Sequence, residues 1–276
     1  MKVTTEGDDL YYEVRGKGTP LLMIPGGGGD GGAYALVADI LSDEYKVITY
    51  DRRSCSRSTM NFPEHFDVAQ QSRDAAAVIK AAGEESAFIF GNSSGAVIAL
   101  DMAATQAHVV RGVIAHEPPL ARVHPDADKW QRFFQSVCRS SFTFGSTFAM
   151  MKFAFGIGVD FQFFKAYKMI KAARKAVKAS SEPYMARKLL TKFFLRQELL
   201  PVTHYLPDFQ SIKKNSVRVI MAAGKRSLEK KRFYAEVAKI VAEKLGCEFV
   251  EFPGHHGSFF DMPNEWSMTI RKSLQQ

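Results

Sequence analysis

Cysteine is scarce in this 276-residue sequence, and long apolar runs are missing from it. The three cysteines, Cys55, Cys138 and Cys247, are odd in number and far apart, which predicts neither a disulfide framework nor a zinc site. No window approaches the ~20 apolar residues that a membrane-spanning helix needs. Residues 1–7 also lack the apolar stretch of a secretion signal. We therefore expect a cytoplasmic protein without stable membrane insertion.

The charge is positive, with a formal net value of +8, but 24% charged and 46% hydrophobic residues are an ordinary globular balance. Six basic side chains recur at helical spacing: Lys165, Lys168, Lys171, Arg174, Lys175 and Lys178. We interpret them as the solvated face of a helix, because no aromatic residues are interleaved on that face to stack on bases. No nucleic-acid partner is expected.

Short apolar segments alternate with helical patterns over most of the chain. Strands are predicted at residues 21–24, 46–50, 86–90, 109–115, 217–222 and 247–252. Helices are predicted between them, for example at residues 68–82, 96–105 and 233–245. Residues 10–14 and the Gly16-Lys17-Gly18 turn predict an opening hairpin. Such alternation is typical of an α/β domain with a mostly parallel sheet covered on both faces by helices.

Residues 120–212 interrupt this alternation with helical patterns and no convincing strand. The segment is rich in Phe and Met, including Phe161, Phe163 and Phe164. We expect a core domain of residues 1–119 and 213–276, with residues 120–212 forming an all-helical lid. Most of the aromatic residues should fill the interior of the lid itself, but that interior is limited. We therefore expect others to face a substrate cleft, and we select Phe148, Met151 and Phe155.

A serine flanked by glycines stands where a predicted strand meets a predicted helix. Ser93 lies in Gly91-Asn92-Ser93-Ser94-Gly95, between residues 86–90 and residues 96–105. The glycines relieve crowding in a sharp turn, which lifts the serine hydroxyl clear of the sheet. The pattern alone is common, but this context makes it specific, and Ser93 is the candidate nucleophile.

Two adjacent histidines follow the last predicted strand. They stand in Phe252-Pro253-Gly254-His255-His256-Gly257, near the end of the chain. A serine nucleophile needs a base, and a late histidine after the last strand fits that role in a Ser–acid–His chain order. From position alone, His255 and His256 compete.

These segments give the chain a resemblance to the α/β-hydrolase superfamily over nearly its whole length. The matching landmarks are Ile24-Pro25-Gly26-Gly27, Tyr50-Asp51-Arg52-Arg53, the serine elbow, and the histidine segment with Pro263 beyond it. The superfamily usually ends this segment in Pro-Gly-Gly-His, which implies His256 as the base. The resemblance also implies an oxyanion hole made by the backbone amides of Gly27 and Ser94, with Gly28 beside them as a substrate-binding residue. The chain departs from the superfamily near Ser54, where glycine is usual.

The acid of the triad is missing from its common place. After residues 217–222 the superfamily commonly has an aspartate, but this chain has Arg226, and an arginine cannot orient an imidazolium. Some members carry the acid after an earlier strand, and the fungal zearalenone lactonases do so in a similar His-Glu-x-Pro stretch. That resemblance implies Glu117 of His116-Glu117-Pro118-Pro119, with Glu229 as a weaker substitute.

The expected function is hydrolysis of a carboxylic ester or lactone of an apolar substrate by a monomer or homodimer, with no metal or organic cofactor. Amide and carbon–carbon bond hydrolysis use the same triad and stay open. One alternative is an NADP-binding oxidoreductase, because residues 27–32 fit G-x-G-x-x-G and Asp51, Arg52 and Arg53 end the next strand. That alternative leaves the serine elbow and the histidine segment unexplained. A non-catalytic ligand receptor with the same fold is the third possibility.

Overall fold

An eight-stranded sheet forms the centre of the computed structural model, which describes residues 1–159 and 185–275. The strands are β1 (Lys2–Thr5), β2 (Asp8–Arg15), β3 (Thr19–Ile24), β4 (Tyr45–Tyr50), β5 (Ala87–Asn92), β6 (Val110–His116), β7 (Val219–Gly224) and β8 (Glu248–Phe252). Their order is β1-β2-β4-β3-β5-β6-β7-β8. Strand β2 runs antiparallel to β1 and β4, whereas β3 to β8 are all parallel.

Helices cover both faces of this sheet. They are α1 (Ala35–Leu41), α2 (Val68–Ala81), α3 (Ser94–Thr105), α4 (Ala127–Thr143), α5 (Ser146–Gly156), α6 (Arg187–Phe193), α7 (Leu199–Thr203), α8 (Phe209–Lys214), α9 (Lys225–Glu229), α10 (Phe233–Leu245) and α11 (Pro263–Gln275). Short 3₁₀ turns lie at Gly31–Tyr34, Ala107–Val109 and Ala121–Val123, and a π-helical turn at Phe194–Glu198 joins α6 to α7. The predicted mostly parallel sheet between helices is confirmed.

The two-residue period of a strand divides the core into two layers. Along β3, Leu22 and Ile24 belong to one buried cluster, which includes residues of α2, α3 and α10. Leu21 and Met23 point the other way, into a second cluster with residues of α1 and α11. Every one of these four side chains is fully buried. Continuous apolar strands therefore follow from helices on both faces.

Helices α4 to α8 lie between β6 and β7. Within residues 120–159 and 185–212 the structure has helices and no strand. The expected boundary after residue 212 falls inside α8. The predicted basic helix face at residues 165–178, together with Phe161, Phe163 and Phe164, lies outside the described residues. In the part of the chain that is described, no helix combines the length and the apolar character needed to cross a membrane.

The opening hairpin differs from the prediction. It consists of β1 and β2 and turns at Glu6 and Gly7, whose φ values are +44° and +85°. The Gly16-Lys17-Gly18 turn instead leads from β2 to β3, and these two strands are separated by β4. Pairing of Tyr12 with Tyr50 gives β2 its second neighbour, so the predicted hairpin closed by Gly16 to Gly18 is wrong.

Candidate active site

Ser93 occupies a strained turn between β5 and α3. Its backbone has φ +56° and ψ −120°, and its amide donates to the carbonyl of His116 at 2.9 Å. A Cβ on Gly91 would lie 2.2 Å from the Gly95 carbonyl oxygen, and one on Gly95 would lie 2.1 Å from that of Ile24. Neither glycine can therefore carry a side chain. The strain, on the order of 1–3 kcal/mol, is typical of functional positions.

Glu117 follows β6 and is fully buried beside His256. Its Oε2 lies 2.5 Å from Nδ1 of His256, and its Oε1 accepts a hydrogen bond from the Gly224 amide at 2.9 Å. Its own amide donates to the Ala222 carbonyl at 2.9 Å, with φ at +52°. Both carboxylate oxygens are thus held, one by the end of β7 and one by the imidazole. The arrangement fixes the orientation of the His256 ring.

The electrostatics of Glu117 favour a carboxylate. Burial by itself raises the pKa of this carboxyl group. The neighbouring His116, the His256 hydrogen bond and the Gly224 amide lower it by more, so the pKa of Glu117 lies below its usual range. A buried carboxylate that stays ionised can hold an imidazole in one tautomer and stabilise its protonated form.

His116 and Asn92 belong to the same cluster, and sequence reasoning missed both. The Asn92 side-chain amide donates to Nδ1 of His116 at 2.9 Å and to the carbonyl of His256 at 3.2 Å. Complete burial lowers the pKa of His116 to about 4, so this ring is neutral at pH 7. The position of Asn92 inside the elbow was the available signal. Its amide ties the elbow to the histidine loop.

A potential metal-ligand set coincides with this cluster. Within the described residues, the ligand atoms of His116, Glu117 and His256 all lie within 4.8 Å of one another. Each of the three already has hydrogen-bond partners among the groups described above. Hydrogen bonding therefore accounts for their convergence.

The two histidines after β8 have different surroundings. His255 is buried, its Nδ1 accepts from the Gly257 amide at 3.1 Å, and its Nε2 lies 3.3 Å from a carboxylate oxygen of Asp261. His256 faces Glu117 with 24% of its side chain exposed. The structure therefore brings His256, the histidine expected as base, to the carboxylate. Glu229, the weaker acid candidate, ends α9 and is exposed.

Ser93 and His256 open into one cavity of about 400 Å³. Gly27, Gly28 and Ser94 line the same cavity, so the structure places both expected oxyanion donors beside the serine. Ser94 is the first residue of α3, where a backbone amide has no acceptor within the helix. The cavity wall contributed by the helices between β6 and β7 is largely apolar, with Phe134, Met150, Phe153, Ala154, Ile157, Leu190, Phe194, Leu199 and Val202.

The three lid residues selected from the sequence lie on the wrong face of α5. Phe148, Met151 and Phe155 expose 45%, 60% and 91% of their surface and are absent from the cavity wall. The wall is formed instead by residues 150, 153, 154 and 157, which have the helical spacing i, i+3, i+4 and i+7. Because both faces of α5 are apolar, helical periodicity did not distinguish them. Gly28, the fourth expected binding residue, does line the cavity.

The charged groups that suggested a dinucleotide site are buried and paired. Asp51 accepts a hydrogen bond from the Gly31 amide at 2.9 Å and is fully buried. Arg52 is also fully buried, and Arg53 forms a bidentate pair with Asp74 at 2.7 and 2.8 Å. None of the three side chains is presented to a ribose or a 2′-phosphate. The NADP interpretation is therefore wrong.

Comparisons with known proteins agree with this architecture. A family model described as "Alpha/beta hydrolase family" matches residues 21–267. A Bacillus subtilis (strain 168) protein named "Uncharacterized hydrolase YraK" is 30% identical over 279 residues, 98% of this chain and 94% of that protein. A thermophilic esterase from Thermogutta terrifontis has a TM-score of 0.74 at 19% identity, covering 100% of this chain and 97% of that chain. The enol-lactonase from Burkholderia xenovorans LB400 has a TM-score of 0.73 at 17% identity over 100% of both chains. At these identities the two solved structures show a shared fold.

Proposed function

The chain belongs to the α/β-hydrolase family, and from that premise we propose that it cleaves a carboxylic ester or lactone of an apolar substrate through an acyl-enzyme on Ser93. The observation that carries this proposal is the 2.5 Å contact between Nδ1 of His256 and Glu117, beside a strained serine that lines the same cavity. A serine, a base and an orienting carboxylate are the groups that acyl transfer requires.

In the proposed first step, the Ser93 hydroxyl oxygen attacks the substrate carbonyl and its proton moves to Nε2 of His256. Glu117 keeps the proton on Nδ1, which leaves Nε2 free to accept, and then stabilises the imidazolium. The negative oxygen of the tetrahedral intermediate lies against the amides of Gly27 and Ser94. Collapse of this intermediate expels the alcohol, which takes the proton from His256, and leaves an ester on Ser93.

In the proposed second step, His256 removes a proton from a water molecule that attacks the same carbonyl. The same two amides hold the oxyanion again. Collapse returns the proton to the Ser93 oxygen and releases the carboxylic acid. For a lactone, the alcohol and the acid are parts of one product, so the substrate leaves as a hydroxy acid. The reaction consumes one water and needs no electron transfer.

The apolar cavity wall supports the substrate class. A volume of about 400 Å³ lies within the range of small-molecule sites, and side chains such as Met150 and Phe153 favour an apolar acyl or alcohol group. We further propose that residues 120–212 form a lid on a core of residues 1–119 and 213–276. This division is supported by the cavity, to which the helices between β6 and β7 contribute apolar side chains such as Phe134, Phe153 and Val202, while the core contributes Ser93 and His256.

The first experiment is labelling with a fluorophosphonate probe, which forms a covalent bond with an activated serine. We expect wild-type protein and Ser86→Ala to be labelled, and Ser93→Ala to be unlabelled. Ser86 precedes β5 and accepts a hydrogen bond from Arg111, away from the elbow, so it is a matched control. Unlabelled wild-type protein would contradict the serine mechanism and favour a non-catalytic ligand receptor.

The second experiment identifies the substrate. Turnover of p-nitrophenyl esters of rising acyl length, measured beside a set of lactones, separates chain-length preference from ring opening. Under the proposal, kcat/KM rises with acyl length until the cavity is filled. A preference for acetate over every longer ester would contradict an apolar acyl site.

A further inference from the structure

A π-helical turn in the inserted helices reaches down to the loop that carries Gly27. The turn comprises Phe194–Glu198 and joins α6 to α7. At one end, the Phe194 ring lies so close to Gly27 that a Cβ there would be 2.8 Å from it. At the other end, Glu198 is fully buried against Arg52. π-Helical turns occur frequently at functional sites, so a functional role is expected for the contacts of Phe194 and Glu198.

Arg52 connects the π-helical turn to the Gly27 loop. Its Nη2 donates to Oε1 of Glu198 at 2.6 Å and to the carbonyl of Gly26 at 2.7 Å. Its Nε donates to the carbonyl of Pro25 at 3.0 Å. A single fully buried guanidinium therefore holds two consecutive loop carbonyls and one carboxylate of the inserted helices.

The hydrogen bond from Arg52 to the Gly26 carbonyl also affects the amide of Gly27. A peptide unit is planar and trans, so the carbonyl of Gly26 and the amide N–H of Gly27 lie in one plane and point in opposite directions. When Arg52 draws the Gly26 oxygen toward itself, the Gly27 N–H is directed away from Arg52. Gly27 lines the cavity beside Ser93. The Gly26 carbonyl also accepts from the Gly29 amide at 3.0 Å, so Arg52 and this backbone turn together set the orientation of an amide that the proposed mechanism uses.

Stability alone is a poor explanation for this pair. A fully buried ion pair stabilises a fold only when its remaining donors and acceptors are also satisfied. In the part of the chain that the structure describes, Nη1 of Arg52 and Oε2 of Glu198 have no hydrogen-bond partner. An apolar pair of similar size would serve packing at least as well, but it would not orient the loop carbonyls.

We propose that Arg52 and Glu198 are positioning residues for the oxyanion hole, through which the inserted helices control the orientation of the Gly27 amide. The inference rests on the proposed serine-hydrolase function. Arg52 holds the peptide plane between Gly26 and Gly27, and Glu198 holds Arg52. Movement of the π-helical turn would therefore alter both the Phe194 wall of the cavity and the oxyanion donor beneath it.

The test replaces both charges, because removal of one would leave the other buried and unpaired. In Arg52→Met with Glu198→Leu, we expect kcat for a p-nitrophenyl ester to fall at least 30-fold, with KM within threefold of wild type. We expect amide hydrogen exchange in residues 26–29 to accelerate at least tenfold. Arg196→Met is the matched control, since Arg196 lies in the same turn and donates to the Ser141 carbonyl at 2.6 Å, away from the loop. It should keep wild-type kcat and wild-type amide exchange in residues 26–29.

A double variant that folds with wild-type kcat and unchanged amide exchange in residues 26–29 would overturn the inference. If the double variant does not fold, Arg52→Lys is measured in the same way with the same criteria, because it keeps a cation beside Glu198 but removes the guanidinium fork that reaches the carbonyls of Pro25 and Gly26. Failure of the proposed function is a separate result, namely the absence of fluorophosphonate labelling at Ser93 in the wild type. Hydrogen exchange still decides whether Arg52 and Glu198 hold the loop in that case.

Discussion

Nδ1 of His256 lies 2.5 Å from Oε2 of Glu117, so the carboxylate beside this imidazole comes from the end of β6. The end of β7, where the superfamily commonly places an aspartate, supplies a backbone amide instead. That amide, from Gly224, donates to the second oxygen of Glu117 at 2.9 Å. The neighbouring strand thus helps to hold the carboxylate that we propose as the acid.

The first prediction concerns the charge of Glu117. Glu117→Gln keeps the side-chain shape but removes the carboxylate that selects the His256 tautomer, and we expect kcat to fall by about 10⁴-fold. Glu229→Gln is the control, because Glu229 is exposed at the end of α9, and its kcat should stay within twofold. Steady-state ester hydrolysis and the rate of fluorophosphonate inactivation give the measurement. Loss of activity in the Glu229 variant alone would move the acid to that position.

The second prediction concerns the two faces of α5. Phe153 lines the cavity and packs on Phe194 with ring centroids 5.3 Å apart, whereas Phe155 is 91% exposed. We expect Phe153→Ala to raise KM for long-chain esters about tenfold, since a large apolar contact is lost, on the order of 1–3 kcal/mol. Phe155→Ala should leave KM unchanged. The measurement is KM for octanoate and acetate esters in both variants. A raised KM in Phe155→Ala alone would show that the face of α5 predicted from the sequence contacts the substrate.

Much of the fold follows from local pattern. The alternation of apolar strands and helices predicts the parallel sheet, because strands buried on both faces lack polar positions. The predicted first hairpin is wrong because a turn such as Gly16-Lys17-Gly18 changes the direction of the chain but does not determine which strand pairs with β2. Strand order depends on contacts far apart in sequence, such as Tyr12 with Tyr50.

The candidate site likewise contains residues that local sequence predicts and contacts that it does not predict. Ser93 could be predicted as the candidate nucleophile because its strand, glycines and helix are adjacent in sequence. Glu117 could be predicted as the candidate acid because Arg226 stands where the superfamily commonly has an aspartate, and because the His-Glu-x-Pro stretch resembles that of the lactonases. The bonds of Asn92 to His116 and His256 could not, since they join segments 24 and 164 residues apart. The orientation of α5 could not either, because an apolar side chain looks the same in sequence whether it meets a cavity or solvent.

The third prediction concerns pH. The folded-state pKa of His116 is about 4, below the ordinary value of 6.5, because the ring is completely buried. Between pH 6.5 and 4 the unfolded chain binds a proton that the folded protein does not, so stability falls as the pH falls through this window. Removal of the group by His116→Gln should reduce that loss by about 3 kcal/mol. Denaturant unfolding at several pH values measures it.

The control for this experiment is His108→Gln, since His108 is exposed. The lowered pKa of Glu117 acts in the same direction, because a carboxylate held in the folded state loses its contribution as the pH falls through that pKa. The difference between wild type and His116→Gln therefore reports on His116 together with its effect on the pKa of Glu117. Parallel pH curves for these two proteins would show that burial of His116 does not oppose acid unfolding.

The fourth prediction concerns the loop after β4, where serine replaces the glycine usual in the superfamily. Ser54 has φ +63°, a left-handed conformation that favours glycine, and its buried hydroxyl has no hydrogen-bond partner in residues 1–159 and 185–275. Ser54→Gly removes a steric cost and breaks no hydrogen bond. After the added backbone entropy of glycine is subtracted, we expect the free energy of unfolding to rise by about 0.5–1 kcal/mol.

Ser58→Gly is the matched control in the same loop. The Ser58 hydroxyl donates to the Asp51 carbonyl at 2.6 Å and accepts from the Tyr11 amide at 3.0 Å, so its loss removes a partner from a buried carbonyl and from a half-buried amide. We expect this variant to be destabilised by about 2–3 kcal/mol. Urea unfolding of the two variants beside wild type should therefore give shifts of opposite sign. Destabilisation by Ser54→Gly would mean that the left-handed turn is held by the serine itself, and that its conformational cost is smaller than the backbone entropy that glycine adds.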